Sequence, residues 1–290
     1  MSDSLVAAVS ILFFGVAYGM VLYLVSVGLS VTMGLMGVVN LAHGVFATAG
    51  GYVATALMMS FGVPFLPAVV GGMIGAVILS IPLEWLLYRR LYGGDELDQV
   101  LLTIGLVFMS VAVCKFFWGP LAQPFQPPQW LSGSITVAGR QFPAFRSFVI
   151  LAGAVVFAVL WLGLERTRFG AQIRAAVDNR RMAQSVGINT SQLFTWTFAL
   201  GSALAALGGS LGAEILAIEP AYALEHLVYF LIVVSVGGLG SIRGPFFAAL
   251  LLGVADTGFK YLLPDFGAFF IYAITLVVLL VRPRGLFGLA

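Results

Sequence analysis

Charge is what this sequence most lacks. Asp, Glu, Lys and Arg make up 9% of its 290 residues, against roughly 25% in soluble globular domains, and that shortage excludes a water-exposed surface over most of the molecule. Cys114 is the only cysteine, which rules out an intrachain disulfide and a cysteine metal cluster. His43 and His226 are the only histidines, and neither belongs to a His-Glu-x-x-His zinc motif. The phosphate loop G-x-x-x-x-G-K-[ST] occurs nowhere, so any nucleotide hydrolysis must be supplied by another chain. A formal net charge of +2 gives no field directed at nucleic acid.

What the chain has in abundance is apolar residues, 61% of the total. They fall into runs at about 5–33, 44–61, 64–88, 97–118, 147–164, 193–217, 225–240, 243–262 and 266–282. A helical span needs about 20 such residues to cross roughly 30 Å of hydrocarbon. The runs therefore predict nine membrane segments, or eight if one short run is re-entrant. Lipid cannot satisfy open strand edges, so these segments are expected to be helices. The fold class is an all-α, polytopic transmembrane bundle forming one domain over 1–290. Asp3 replaces the basic flank of a signal peptide, so the first run reads as a retained span.

Lys and Arg in short loops mark the cytoplasmic side. Arg89 and Arg90 follow the third run, Arg166, Arg168, Arg174, Arg180 and Arg181 follow the fifth, and Arg282 and Arg284 follow the last. The intervening spans number two and then four, so all three groups can lie inside, with the N-terminus outside. The opposite face would then hold Glu214, Glu219 and Glu225 and the long loop 119–146. That loop combines Pro120, Pro124, Pro127, Pro128 and Pro143 with Trp118 and Trp130, which suits an extended segment anchored at the interface. Alternation from Ser134 to Phe142 around Ala138 and Gly139 predicts a short hairpin there.

Two glycine-rich breaks resemble one another: Met33 to Gly37 before a helix starting near Gly44, and Val236 to Gly240 before a helix starting near Gly244. In each case the helix after next ends in arginines. This is consistent with two related halves in parallel orientation. In the first break, Gly37, Asn40, His43 and Gly44 interrupt a helix and put polar groups where lipid cannot pair them. Two readings stand: helix ends at the break meet the carboxylate and ammonium of a zwitterion along a substrate pathway, or Asn40 and His43 tie helices together. Asp256, in the middle of the eighth run, is costly in lipid and must face protein or a wet path. Lys260 is spaced to pair with it, and Glu84, a turn from Arg89, is expected to form an interfacial ion pair with it.

The loop 165–192 carries the remaining chemistry. From Gly170, the positions Ile173, Ala176, Val177 and Met182 recur at helical spacing, with Arg174, Asp178 and Arg181 on other faces. Gly187 is placed to stop a helix. The small residues Ala171, Ala175 and Ala176 favour docking into a groove of a soluble partner over lying on anionic lipid.

These segments carry a resemblance. The pattern G-L-x-G, N-x-A-H-G and G-x-Y, present at Gly34–Gly37, Asn40–Gly44 and Gly50–Tyr52, resembles the branched-chain amino acid ABC permeases of the LivH type, as does Leu102–Gly105. Thr167, Gly170, Arg174, Ala175, Ala183, Gly187 and Ile188 resemble that family's coupling segment. Gly237–Pro245 and Arg282–Gly288 resemble its closing motifs. The resemblance implies a multi-pass permease subunit of the bacterial inner membrane, itself no enzyme. It implies a second homologous permease of the LivM type, two ATPase subunits that bind ATP and Mg, and a periplasmic substrate-binding protein. It further implies a coupling role for the loop, with Arg166, Gly170, Arg174, Ala175, Asp178 and Gly187 its candidate residues. Urea, short amides or sugars are alternative substrates. An ion-coupled carrier would suit Asp256 but has no need of the loop 165–192.

Overall fold

The computed structural model describes residues 3–92, 94–137 and 140–288. Every apolar run becomes a helix: α1 (Asp3–Met36), α2 (His43–Phe61), α3 (Phe65–Leu86), α4 (Glu96–Trp118) and α5 (Ala144–Arg166) precede the basic loop. Two short helices, α6 (Arg168–Asp178) and α7 (Arg180–Ser185), occupy that loop, and α8 (Thr190–Gly212), α9 (Tyr222–Gly237), α10 (Arg243–Leu262) and α11 (Gly267–Val281) follow. Six of them, α1 to α5 and α8, are long and apolar enough to cross a membrane alone. α9, at 16 residues, extends only about 24 Å at 1.5 Å per residue, and α10 carries Arg243, Asp256 and Lys260.

The hairpin forms as expected, β1 (Ser134–Val137) pairing antiparallel with β2 (Arg140–Pro143); its turn residues Ala138 and Gly139 lie outside the described residues. Arg140 Nη1 donates to Ser10 Oγ of α1 at 2.8 Å, and the Phe13 and Phe142 ring centroids are 4.3 Å apart. Loop 119–143 also meets the segment after α8, where Gln123 N donates to Ile218 O at 2.8 Å. At the other end of α1, Ser30 Oγ donates to Ser241 O at 2.9 Å, and Arg243 pairs with Glu165 at 2.6 Å. The hairpin and the arginine groups thus occupy opposite ends of the bundle, the arrangement that the even span counts require.

α1 is the central post, packed chiefly on α8 and α10, while α2 is held between α8 and α3. Small residues bring these backbones together, since lipid supplies no hydrophobic force between helices. A Cβ on Gly28 would lie 2.3 Å from Gly201 O, one on Gly19 2.5 Å from Ala249 O, and one on Gly50 2.5 Å from Ala206 Cα. The two glycine breaks touch each other: a Cβ on Gly34 would lie 2.0 Å from Gly240 N.

Gly34→Ala should therefore lower stability by about 1–3 kcal/mol, the usual range for an overpacked core. Gly105→Ala, with nothing within 4 Å of the added carbon, should leave the melting temperature of the detergent-solubilised protein unchanged.

Candidate functional site

The first break is deeper than an ordinary inter-helix turn. α1 ends at Met36, capped by Gly37 N on Met33 O at 3.0 Å, with Gly37 at φ +64°. Residues 37–42 then run back along the bundle, and His43 starts α2 with Nε2 3.2 Å from Val25 O. Val25 lies eleven residues before Met36, about 16 Å along the axis of α1. The carbonyl can only accept, so the contact makes Nε2 the protonated nitrogen.

A second break mirrors it from the other direction. After α8, residues 213–221 descend past α2: a Cβ on Gly51 would meet Ile218, and one on Gly44 would lie 3.0 Å from Ala223 Cα. The first turns of α2 and α9 therefore meet inside the bundle. Each helix start carries the positive end of the helix dipole, with Val45 N, Tyr222 N, Leu224 N and Glu225 N already donating to Ala42, Glu219 and Ala221 carbonyls.

Side chains close the first break. Asn40, 1% exposed, accepts at Oδ1 from Ala42 N at 3.1 Å and from the Tyr88 hydroxyl at 2.9 Å. Gln99 Oε1 accepts from Val39 N at 2.8 Å, while its Nε2 donates to Leu91 O at 3.1 Å. Asn40 Nδ2, His43 Nδ1 and the Tyr222 hydroxyl are buried without a partner among the described residues. Gly37, Asn40, His43 and Gly44 thus form one locus: the side chains fasten the break, and an amide donor, a hydroxyl and an imidazole acceptor are left over.

Asp256 lies elsewhere. It is 2% exposed, and its Oδ2 accepts from Lys260 Nζ at 2.6 Å, the pairing its spacing predicted. α10 packs on α1, α9 and α11, with no substantial packing on α2, so Asp256 is not part of the locus around Asn40. Lys260 also lies 5.8 Å from the Tyr18 ring centroid. On the hairpin side, Glu214 pairs with Arg146 at 3.4 Å.

The basic loop holds two helices where the sequence pattern suggested one. Asn179 ends α6 and caps α7, its side chain accepting from Met182 N at 3.0 Å; Asn is well suited to that role. Ile173 and Ala176 face inward, but Val177 and Met182 are exposed, so the expected stripe is only half buried. Gly170 and Arg174 fasten α6 to α5: a Cβ on Gly170 would clash with Leu164 O, and Arg174 Nη1 donates to that same oxygen. Arg166, Ala175 and Asp178 face outward, and Gly187 ends the segment at φ +88°.

Sequence reasoning placed Glu84 in a simple interfacial ion pair, whereas the structure shows a fully buried hub. It pairs with Arg89 at 3.3 Å and accepts from the Tyr92 hydroxyl at 2.8 Å and from Thr195 Oγ1 of α8 at 2.9 Å. Tyr88, which holds Asn40, lies between these residues in the chain. Glu84→Ala leaves the Tyr92 hydroxyl and Thr195 Oγ1 without their buried acceptor and should cost about 1–3 kcal/mol. A melting temperature unchanged from wild type would refute this.

Comparison with known proteins follows the same lines. The family model described as "Branched-chain amino acid transport system / permease component" matches residues 11–279. The branched-chain amino acid permease LivH of Salmonella typhimurium is 27% identical, covering 99% of this chain and 98% of its own length. BraD of Pseudomonas aeruginosa is 27% identical with 94% of each chain covered, and a probable LivH of Methanocaldococcus jannaschii is 28% identical over 94% of this chain and 90% of its own. Among solved structures, PsaBC from Streptococcus pneumoniae in complex with Fab superposes with a TM-score of 0.54 at 11% identity, over 98% of this chain and 97% of that one. That likeness is one of fold.

Proposed function

Because the chain belongs to the permease-component family of branched-chain amino acid transport systems, we propose that it forms the translocation path for branched-chain or other hydrophobic amino acids in an ATP-driven importer. It is a multi-pass protein of the inner membrane. The observation that carries the reading is the meeting of the α2 and α9 starts inside the bundle. Two positive dipole ends and the unpartnered Asn40 Nδ2 there suit a carboxylate, and the apolar walls around Val45, Ala223 and Val107 suit an aliphatic side chain.

The parts this chain lacks come from other subunits. Two ATPase subunits bind ATP and Mg, a second permease of the LivM type completes the pathway, and a soluble binding protein delivers substrate at the hairpin end. The ATPases engage the outward face of α6 and α7, where Ala175, Asp178, Met182 and Val186 are exposed. Gly170 and Arg174 make that face stiff by tying α6 to the end of α5, so a push on it reaches the bundle. ATP drives the cycle only through its preference for the closed ATPase pair.

Ala175→Trp places bulk on the exposed docking face without touching the α5 attachment. Uptake into vesicles reconstituted with all subunits should fall roughly tenfold, equivalent to about 1.4 kcal/mol of docking energy, while ATP hydrolysis continues; coupled uptake at the wild-type rate would remove α6 from the interface. Arg174→Glu should uncouple in the same way and also loosen α6, seen as faster proteolysis of the loop.

For the interior locus, His43→Gln retains a group able to donate to Val25 O, whereas His43→Leu does not. The glutamine variant should assemble normally with altered uptake rate or substrate range. Uptake of every amino acid tested at wild-type rates would confine His43 to a structural role.

A further inference from the structure

Between the coupling helix α6 and the turn joining α9 to α10 lies a cavity of about 580 Å³, within the 300–1,000 Å³ range typical of small-molecule sites. Its floor is apolar, built from Val31 of α1, Ile173 of α6, Leu239 of the turn and Phe287 near the chain end. Two cations and two anions line it as well. Arg243 and Glu165 form a half-exposed ion pair at 2.6 Å. Arg174 uses one nitrogen on Leu164 O and keeps other donors free, and Asp178 has no ion pair among the described residues.

That lining selects a ligand chemistry. An anion such as phosphate would be repelled by Glu165 and Asp178, and a cation by the two arginines. A wholly apolar molecule would strip water from four charged groups without replacing its hydrogen bonds. A zwitterion with an aliphatic tail satisfies all three elements, its carboxylate toward arginine, its ammonium toward a carboxylate and its side chain on the floor. We propose that this cavity binds an aliphatic amino acid from the cytosolic side, and that the bound molecule wedges α6 against the α9–α10 turn and slows the transport cycle. The amino acid is then the imported solute returning as an inhibitor, an identity that rests on the function proposed above.

The position explains why binding would inhibit. The wall opposite α6 is the contact of Gly34 with Gly240, which Ser30 ties to Ser241, and the floor residue Phe287 belongs to a strap hydrogen-bonded along the end of α9. Any movement of α6 toward or away from the bundle must change the volume of this cavity, so an occupant bound more tightly in one state favours that state.

The test uses vesicles of the complete transporter with the ATPase subunits facing outward. Added leucine or isoleucine at millimolar concentration should slow ATP hydrolysis several-fold, and lysine, whose second ammonium meets Arg174 and Arg243, should not. Glu165→Gln, which keeps the shape but removes an anion, and Leu239→Trp, which fills the floor, should each abolish the slowing, read as the ratio of rates with and without leucine. Should Glu165→Gln fail to assemble, Leu239→Trp gives the reading by itself. No slowing in the wild type, equal slowing by lysine, or full slowing in the variants overturns the proposal. Uptake of leucine in the same preparation, measured with vesicles of the opposite orientation, separates the two ideas: uptake without inhibition defeats only the cavity, and absent uptake defeats the transport reading.

Discussion

Every backbone N–H and C=O inside a bilayer has to be paired within the protein, and here the chain leaves helical geometry at membrane depth, in 37–42 and 213–221. An unpaired group in hydrocarbon costs several kcal/mol, so non-helical backbone survives there only when enclosed. Asn40, Gln99 and Tyr88 supply partners for the first break, and the backbone of loop 119–143 supplies one for the second through Gln123. The close approaches at Gly28, Gly50, Gly201 and Gly209 follow from the same requirement, because only tightly packed α1, α2 and α8 shut lipid out.

The two halves inferred from the glycine breaks share a plan in the structure. In the first, the chain leaving α3 returns to close the break after α1, through Tyr88 on Asn40 and Gln99 on Val39. In the second, the chain leaving α11 returns to the break after α9, where Leu286 N donates to Val236 O at 2.8 Å and Phe287 N to Gly237 O at 3.0 Å. The same job is done by side chains in one half and by backbone in the other. This gives the closing segment Arg282–Gly288 a physical role: it satisfies the last carbonyls of α9, which no following helical turn can reach.

How far the sequence disclosed this depends on the kind of signal. Interruptions were plain: Gly37, Gly187, the hairpin around 138–139, and the basic groups that fix which ends lie together. The pairing of Asp256 with Lys260 followed from spacing, because a helix fixes what lies four residues away. Packing faces were not legible. α1, α3 and α4 are apolar all round, so periodicity that separates core from solvent in a soluble helix says nothing about which side meets protein. For that reason the burial of Glu84 and the descent of 213–221 to the start of α2 were hidden. The division of the loop at Asn179 was hidden differently, because Asn is unexceptional within a polar helix and becomes a cap only once the chain turns there.

The same enclosure that solves the backbone problem also joins the two candidate sites. α9 is a single rigid element of 16 residues whose start lies against Gly44 and whose end is gripped by the strap and followed by the turn that meets Gly34. α6, held to Leu164 by Gly170 and Arg174, stands across a cavity from that turn. The end carbonyls of α9 are already paired, so on the transport function proposed above a displacement of the turn passes along α9 to Tyr222 and Ala223, beside His43 and Gly44. Packed interfaces of this kind switch between discrete arrangements instead of deforming continuously. On that proposed function, alternating exposure of the interior locus needs no flexible hinge within the membrane, only a rigid α9 driven at one end and read at the other.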